Sequence, residues 1–501
     1  MKPQEKFVQT DNFGYIEATI ETIQKGFADG TLTCRALVEF YLDRIEKLDR
    51  GGPKLNSIIS VNPEVLSQAE EKDAIYAQSG LIGPLHGIPV AFKDQGDVKE
   101  MPTTMGSVLF AEHMPKRDSF VAQKLREAGA IIIAKTTLGE MGAGDTHGSL
   151  FGSTKNVYDL ERTAGGSSGG SGVAVSANLC ATAIGQEGYA SIRRPATWNG
   201  VVGMRPTAGL VSRGGVYAGW PLINGSLGPM TRSVADAARM LDVMVGFDPS
   251  DPITARGVGK VPTSYSTILK ASGLEGRRIG ILRTMMGFNS DPNSQDFKAV
   301  NTIFEKAIDD LADAGSTIID QIEIPGLIEF LEKRSNDGNA EAESFQLYAE
   351  GSAQSPFSTM EEMRNSIRFN EVFRGVKTRW ESEKKPERFN AYLAAREEFM
   401  TRFLLVMEEN KLDAIVHKAV EHTPTLIRDG IAAPWTDQKG APYLNTTLIF
   451  VPSIVVPAGF TSHGLPVGIT FLGRPYSDAE MLRFAYAFEK HTMRRKVPVF
   501  E

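Results

Sequence analysis

Cysteine is nearly absent. Cys34 and Cys180 are the only two in 501 residues. They are too few for a disulfide framework, and too few for a four-ligand zinc site without histidine help. Both are read as small buried hydrophobes. The seven histidines (His86, His113, His147, His417, His422, His463, His491) form no H-E-x-x-H or H-x-x-x-H pattern with carboxylates, so no metal is expected. Long apolar runs are also missing. The longest, residues 448–456, is broken by Pro452 and falls far short of the roughly 18 residues of a membrane span. The start, Met1-Lys2-Pro3-Gln4-Glu5-Lys6, lacks the charged-then-apolar pattern of a secretory signal. A soluble, cytoplasmic protein with no membrane partner is expected. There is no basic block either. Lys+Arg is 54 against Asp+Glu 61, a net charge of −7, which argues against a dedicated nucleic-acid or anionic-membrane binder. A hydrophobic content of 42% with 23% charged residues excludes general disorder.

What is present reads as helix and strand in alternation. Ile16, Ile20 and Ile23, then Leu37, Phe40, Tyr41, Ile45 and Leu48, follow a 3.6 period and predict two helices within 15–50. Residues 55–61 predict a strand, 63–77 a helix, and 84–94 a turn and a strand ending at Lys93. Helices are expected over 120–128, 234–245, 301–314 and 479–490, and buried strands over 131–134, 278–282, 412–416 and 453–456. Residues 330–410 read as charged and helical, ending in the periodic segment 389–409. Such alternation indicates an α/β architecture. The length allows about three domains of 150 residues. No internal repeat or low-complexity linker divides the chain, so one large domain over 1–501 is expected.

The outlier is the run Gly165-Gly166-Ser167-Ser168-Gly169-Gly170-Ser171-Gly172. Glycine collects where backbone must approach something closely or turn with φ > 0. A flexible loop is one reading, weakened because structured segments flank the run. A phosphate cradle is a poor fit, since neither G-x-x-x-x-G-K-[ST] nor G-x-G-x-x-G occurs in it. Gly165–Gly169 formally fits the G-x-S-x-G of a nucleophile elbow, which also needs a later Asp and His. A second serine, Ser191, lies 24 residues on, after a small-residue turn and just before Arg193-Arg194-Pro195.

Several segments together resemble the amidase signature family of serine amidases. They are Gly87-Ile88-Pro89-Val90-Ala91-Phe92-Lys93-Asp94, the Gly-Gly-Ser-Ser-Gly-Gly run at 165–170, Ser191-Ile192-Arg193 with Pro195-Ala196, and Gly203-Met204-Arg205-Pro206-Thr207. Gly228-Pro229-Met230 with 232–236, and 456–460 with 464–468, fit as well. The likeness covers about 15–260 and 410–490, with a signature core at about 80–260; about 320–410 is a variable helical substrate region. The resemblance implies a single large α/β domain, a twisted mixed sheet covered by helices on both faces. It implies an amidohydrolase of linear amides that cleaves a carboxamide C–N bond through an acyl-serine, releasing a carboxylic acid and ammonia or an amine. Ser191 would be the nucleophile, Ser167 a bridging serine in an unusual cis peptide, and Lys93 the base. The backbone N–H groups of Gly188, Tyr189, Ala190 and Ser191 would form the oxyanion hole. No cofactor is implied.

The chemistry is coherent on its own terms. A serine hydroxyl is too weak an acid to attack an amide at neutral pH without a proton acceptor. A lysine can accept only when neutral, and burial lowers its pKa. A second serine, both donor and acceptor, can relay the proton. The chain departs from the family at Glu187-Gly188-Tyr189-Ala190-Ser191, where Asp-Thr-Gly-Gly-Ser is usual. Tyrosine and alanine tolerate φ > 0 poorly, so either the loop takes a different course or Gly188 takes the strain. Tyr189 is expected to project into the acyl pocket or to pack under the loop, and Arg194 to hold a substrate carboxylate or a neighbouring loop. Trp198 is expected in the core, with Trp220 undecided; His417 or His422 could touch substrate, though a core role suits them better. The partner is a small-molecule amide, and the aromatic content of 320–405 favours an apolar or aryl one; a homodimer is compatible with this reading. Competing readings are the amidase subunit of a tRNA-dependent amidotransferase, a non-catalytic amidase-like binding protein, and an α/β-hydrolase esterase using Ser167.

Overall fold

The structure is a computed structural model that describes residues 13–217, 225–335, 340–352, 354–381 and 383–500. The readings made on residues 1–6 and on Trp220 lie outside them. Among the described residues eleven strands form one mixed sheet: β1 (Ile58–Val61), β2 (Pro89–Lys93), β3 (Ile131–Thr136), β4 (Thr182–Glu187), β5 (Val202–Arg205), β6 (Ser226–Thr231), β7 (Arg278–Leu282), β8 (Thr317–Ile322), β9 (Ala414–Lys418), β10 (Ser453–Phe460) and β11 (Pro466–Leu472). Their spatial order is β1-β3-β2-β4-β6-β5-β10-β11-β9-β7-β8. Strands β3, β2 and β4 run parallel, as do β9, β7 and β8. The strands between these two groups pair antiparallel.

Successive strand residues point to opposite faces. Strands β2 to β6, β9 and β11 are buried at every position, so both faces of the sheet are covered. The covering helices include α1 (Gly169–Ser176), α2 (Arg193–Trp198), α3 (Val234–Met244), α4 (Gln295–Asp313) and α8 (Asp478–Thr492). Between α4 and α8 the chain adds α5 (Ala340–Gly351), α6 (Arg374–Glu381) and the long α7 (Pro386–Glu409). This single α/β architecture is the one expected. The predicted strands at 84–94, 131–134, 278–282 and 453–456 are all present. The segments of β4, β5 and β6 were not read as strands, because glycine, proline and polar residues interrupt them and leave no apolar run like that of 131–134.

Residues 340–380 make a small core of their own. Phe345, Tyr348, Met360, Met363, Phe369 and Trp380 pack with Phe110, Met141 and Tyr217. The aromatic content that suggested an apolar substrate is therefore largely helix packing. Cys34 and Cys180 are buried thiols without a disulfide, as expected.

Helix α1 carries Ser167 and Ser168 at its entrance and is buried throughout. Its glycines set how closely it approaches β3. A Cβ on Gly170 would stand 2.5 Å from the Thr137 carbonyl oxygen and 2.6 Å from the Thr137 nitrogen. Backbone cannot yield as a flexible side chain can. Gly170→Ala is therefore expected to lower stability by at least about 1–3 kcal/mol, the usual cost of overpacking. A shift in urea midpoint at constant m-value would measure it; an unchanged midpoint would show that α1 can back away from β3.

Candidate active site

Strand β2 delivers Lys93 into the interior, where its side chain is 1% exposed. Its Nζ lies 2.8 Å from Ser167 Oγ and donates to the Gln186 carbonyl at 3.2 Å. Burial holds its pKa well below the ordinary lysine value, opposed by the charge of Glu187. The adjacent Asp94 faces elsewhere. It pairs with Lys135 at 2.8 Å and accepts the Thr104 N–H at 3.0 Å. Among the described residues no carboxylate forms an ion pair with Lys93.

Ser167 follows a cis peptide bond, Gly166–Ser167. Its carbonyl accepts the Gly139 N–H at 3.0 Å. Ser168 Oγ accepts the Gln186 N–H and donates to the Gln186 carbonyl, both at 3.2 Å. The Ser168 N–H donates to the Ser191 carbonyl at 3.0 Å. The glycine-rich loop is thus tied to the end of β4 on one side and to the Ser191 loop on the other. Lys93 and Ser167, separated widely in sequence, meet at the end of β2, and the Ser191 loop is held beside them through the backbone of Ser168. Ser191 is 8% exposed and lines a cavity of about 220 Å³.

The Ser191 loop is shaped from behind by Glu187. One carboxylate oxygen accepts the N–H groups of Ile192 at 2.8 Å and Arg193 at 2.9 Å. The other accepts Arg193 Nε at 2.7 Å. The Arg193 guanidinium also donates to the Tyr189 carbonyl at 2.6 Å. Both members of the pair are fully buried. Held this way, Gly188, Tyr189 and Ala190 all stay out of the left-handed region. The strain expected at Gly188 is not there, and a Cβ at that position would meet nothing within 4 Å. The loop takes the other course allowed for it, one open to tyrosine and alanine. Among the described residues, no acceptor takes the backbone N–H groups of residues 188–191.

Tyr189 stands at the cavity wall, half-buried, edge-on to Tyr443 with ring centroids 6.0 Å apart. Arg194 also lines the cavity, but its Nε and Nη2 are engaged, while its buried Nη1 has no hydrogen-bond partner among the described residues. It bonds the Gly166 carbonyl at 3.0 Å and 3.2 Å and the Gly144 carbonyl at 3.2 Å. It pairs with Asp145 at 2.8 Å and lies over the Trp198 ring. Burial, reinforced by the charge of Asp437, raises the Asp145 carboxyl pKa against the pull of Arg194. Trp198 is buried and donates to the His422 carbonyl at 3.0 Å, a core role. His417 sits inside β9 with Nδ1 2.7 Å from the Lys418 carbonyl oxygen, and His422 Nε2 accepts the Asp291 N–H at 3.0 Å. Neither lines the cavity.

The rest of the wall comes from parts of the chain with no motif. Arg334, Phe373, Gly375 and Arg379 come from the variable region, and Asp437, Gln438 and Ala441 from the segment after β9. The first four fall in the segment of about 320–410 expected to be the variable substrate region, where Phe373 belongs to its aromatic content; no motif marked the other three. A larger cavity, about 370 Å³, opens near Arg117, Arg213 and Tyr348 but shares no residue with the serine–lysine cluster. Among the described residues no group of His, Cys, Asp and Glu could hold a metal ion, and no helix is long and apolar enough to cross a membrane.

The Amidase family model matches residues 36–482. A probable amidase of Arabidopsis thaliana is 32% identical, with 98% of this chain and 93% of that protein aligned. A glutamyl-tRNA(Gln) amidotransferase subunit from Alkaliphilus metalliredigens is 30% identical over 95% of this chain and 96% of its own. Among solved structures, the native peptide amidase from Stenotrophomonas maltophilia superposes with a TM-score of 0.86 at 32% identity, covering 98% of this chain and 100% of that one.

Breaking a buried ion pair from one side leaves the other charge without a partner. Arg193→Met is expected to cost about 3–5 kcal/mol in chemical denaturation, against less than about 1 kcal/mol for an exposed pair such as Arg35–Glu39. Comparable losses in the two variants would show that Glu187 finds other partners.

Proposed function

The chain belongs to the amidase family, hydrolases that act on C–N bonds, and we propose that it hydrolyses a carboxamide through an acyl-Ser191 intermediate. The observation that carries the reading is the buried Lys93 amine, 2.8 Å from Ser167 Oγ, with its pKa depressed by burial.

A neutral Lys93 takes the Ser167 proton as Ser167 takes that of Ser191, whose Oγ attacks the amide carbon. The N–H groups of Gly188, Tyr189, Ala190 and Ser191 receive the developing oxyanion; their lack of partners among the described residues supports this role. The proton then returns to the leaving nitrogen, and ammonia or an amine departs. A water deprotonated by the same relay attacks the ester and releases the acid. Glu187 and Arg193 hold the loop in which this happens. Tyr189 bounds the acyl side, while Arg194, fixed to Asp145 and Gly166, shapes the wall beneath Ser167. The substrate is a small-molecule amide whose apolar or aryl part rests against Tyr189, Phe373 and Ala441.

A second reading is the amidase subunit of a tRNA-dependent amidotransferase, favoured by the 30% identity to the Alkaliphilus metalliredigens protein. Purified chain that releases ammonia from simple amides unaided supports the first reading. Turnover of glutamine only in the presence of added partner subunits supports the second.

A fluorophosphonate probe is expected to label Ser191, and Ser191→Ala and Lys93→Ala to lower kcat at least about 10⁴-fold. Labelling at Ser167 with Ser191 untouched would favour the elbow chemistry instead. In the pH profile the base must be unprotonated. As pH falls through the depressed Lys93 pKa, kcat/KM should fall with it, and single replacement of each histidine should leave that limb in place. Tyr189→Gly is expected to widen the range of accepted acyl groups while small-acyl turnover stays within about tenfold. A uniform fall in kcat across acyl lengths would instead assign Tyr189 to support of the oxyanion loop.

A further inference from the structure

Three arginines line the cavity that holds Ser191: Arg194, Arg334 and Arg379. Two are matched by carboxylates behind them. Arg194 pairs with Asp145 and Arg379 with Glu341, each at 2.8 Å. Arg334 is different. It lies just beyond helix Leu327–Glu332, and its guanidinium carbon is 4.5 Å from the ring centroid of Tyr189 and 4.5 Å from that of Tyr443. Among the described residues no carboxylate pairs with it, and no acceptor takes its side-chain N–H groups. The two rings stand at 80° to each other, so at most one can lie flat on the guanidinium and the other meets its edge. The N–H donors on the edge turned away from the rings remain available to a planar acceptor, and a carboxylate meets such an edge with two parallel bonds.

We propose that Arg334 binds a carboxylate carried by the substrate, so that the cleft selects mono-anionic amides. The proposal rests on the reading of Ser191 as nucleophile. The two tyrosines hold the cation at the wall, and one of them, Tyr189, is two residues from Ser191. That places the anion beside the reacting bond. An apolar stretch of substrate against Tyr189 and Ala441 is compatible with a charged end at Arg334. The other charge on this wall is Asp437. It accepts the Asp145 N–H at 2.6 Å and a Gln438 side-chain N–H at 3.2 Å, and no cation pairs with it among the described residues. A second negative charge on the substrate would meet Asp437, which limits the class to one.

The test compares amides matched in length. Glutaramate and valeramide differ by a carboxylate on the acyl side; N-acetyl-β-alanine and N-propylacetamide differ by one on the amine side. Wild type is expected to favour at least one acid over its neutral match in kcat/KM, and the pair that responds tells which side of the scissile bond faces Arg334. Arg334→Gln should lower kcat/KM for that acid by about ten- to a hundredfold, the usual effect of losing a charge-assisted contact. It should act mainly through KM and leave the neutral match within about threefold. Arg334→Lys should recover part of the loss. No preference for either acid in wild type would overturn the proposal. So would an equal loss on acid and neutral amides in Arg334→Gln, which would assign Arg334 to propping Tyr189 and Tyr443. Binding of 5-oxohexanoate, a mono-anionic ketone isostere of glutaramate, to Ser191→Ala, read by calorimetry, separates the two readings. If Ser191→Ala still hydrolyses amides, the acyl-serine reading fails; 5-oxohexanoate binding that Arg334→Gln abolishes would still uphold the anion site.

Discussion

A lysine amine buried without a paired carboxylate is the constraint around which this molecule is built. Water would solvate a charged Lys93, and the interior does not. The amine therefore has its proton affinity lowered and, among the described residues, finds only the Ser167 hydroxyl and the Gln186 carbonyl. Every neighbouring charge that could neutralise it has a partner of its own. Asp94, next in sequence, is matched by Lys135, and Glu187 by Arg193. The central strands bring these groups together, because parallel β2 and β4 end side by side and release their following loops at one place.

Buried ion pairs serve here as fasteners for loops. Glu187–Arg193 sets the turn before α2, Asp145–Arg194 bears on the Gly166 carbonyl, and Arg213–Asp251 joins the loops after β5 and α3 at 2.8 Å. Such pairs add little net stability, since desolvation offsets attraction, but breaking one from a single side is costly. That asymmetry suits a site that must keep one geometry. It also explains how the Ser191 loop accepts tyrosine and alanine: its course is held by side-chain contacts from below and needs no glycine conformations.

The variable region reaches the cleft with only a few residues, while most of its aromatic groups pack against one another and against Phe110 and Met141. A cleft can be retuned by changing what sits at positions 334, 373 and 379 without disturbing the sheet. Selectivity in this architecture is thus separable from the catalytic apparatus, which lies on the strands and on the loops pinned to them.

The glycine–serine run, the lysine closing an apolar strand and the second serine before an Arg-Pro stop were legible in order along the chain, because each is a local requirement of backbone or chemistry. The α/β alternation was legible wherever strands had apolar stretches between turns. Strands β4, β5 and β6 were not, since glycine, proline and polar residues interrupt them, whereas β2, β3 and β9, buried on both faces as well, carry unbroken apolar stretches. Nor was the division of labour among the arginines. Arg194 was open to an anion or to a neighbouring loop, and it is the loop, through Asp145, that takes it; Arg334 carried no signal, yet it stands against Tyr189 and Tyr443 at the cleft. The sequence by itself determined which groups could do the chemistry and the family to which they belong. Only the tertiary structure decided which charges are matched and which face the substrate, because pairing depends on distances between segments far apart in the chain.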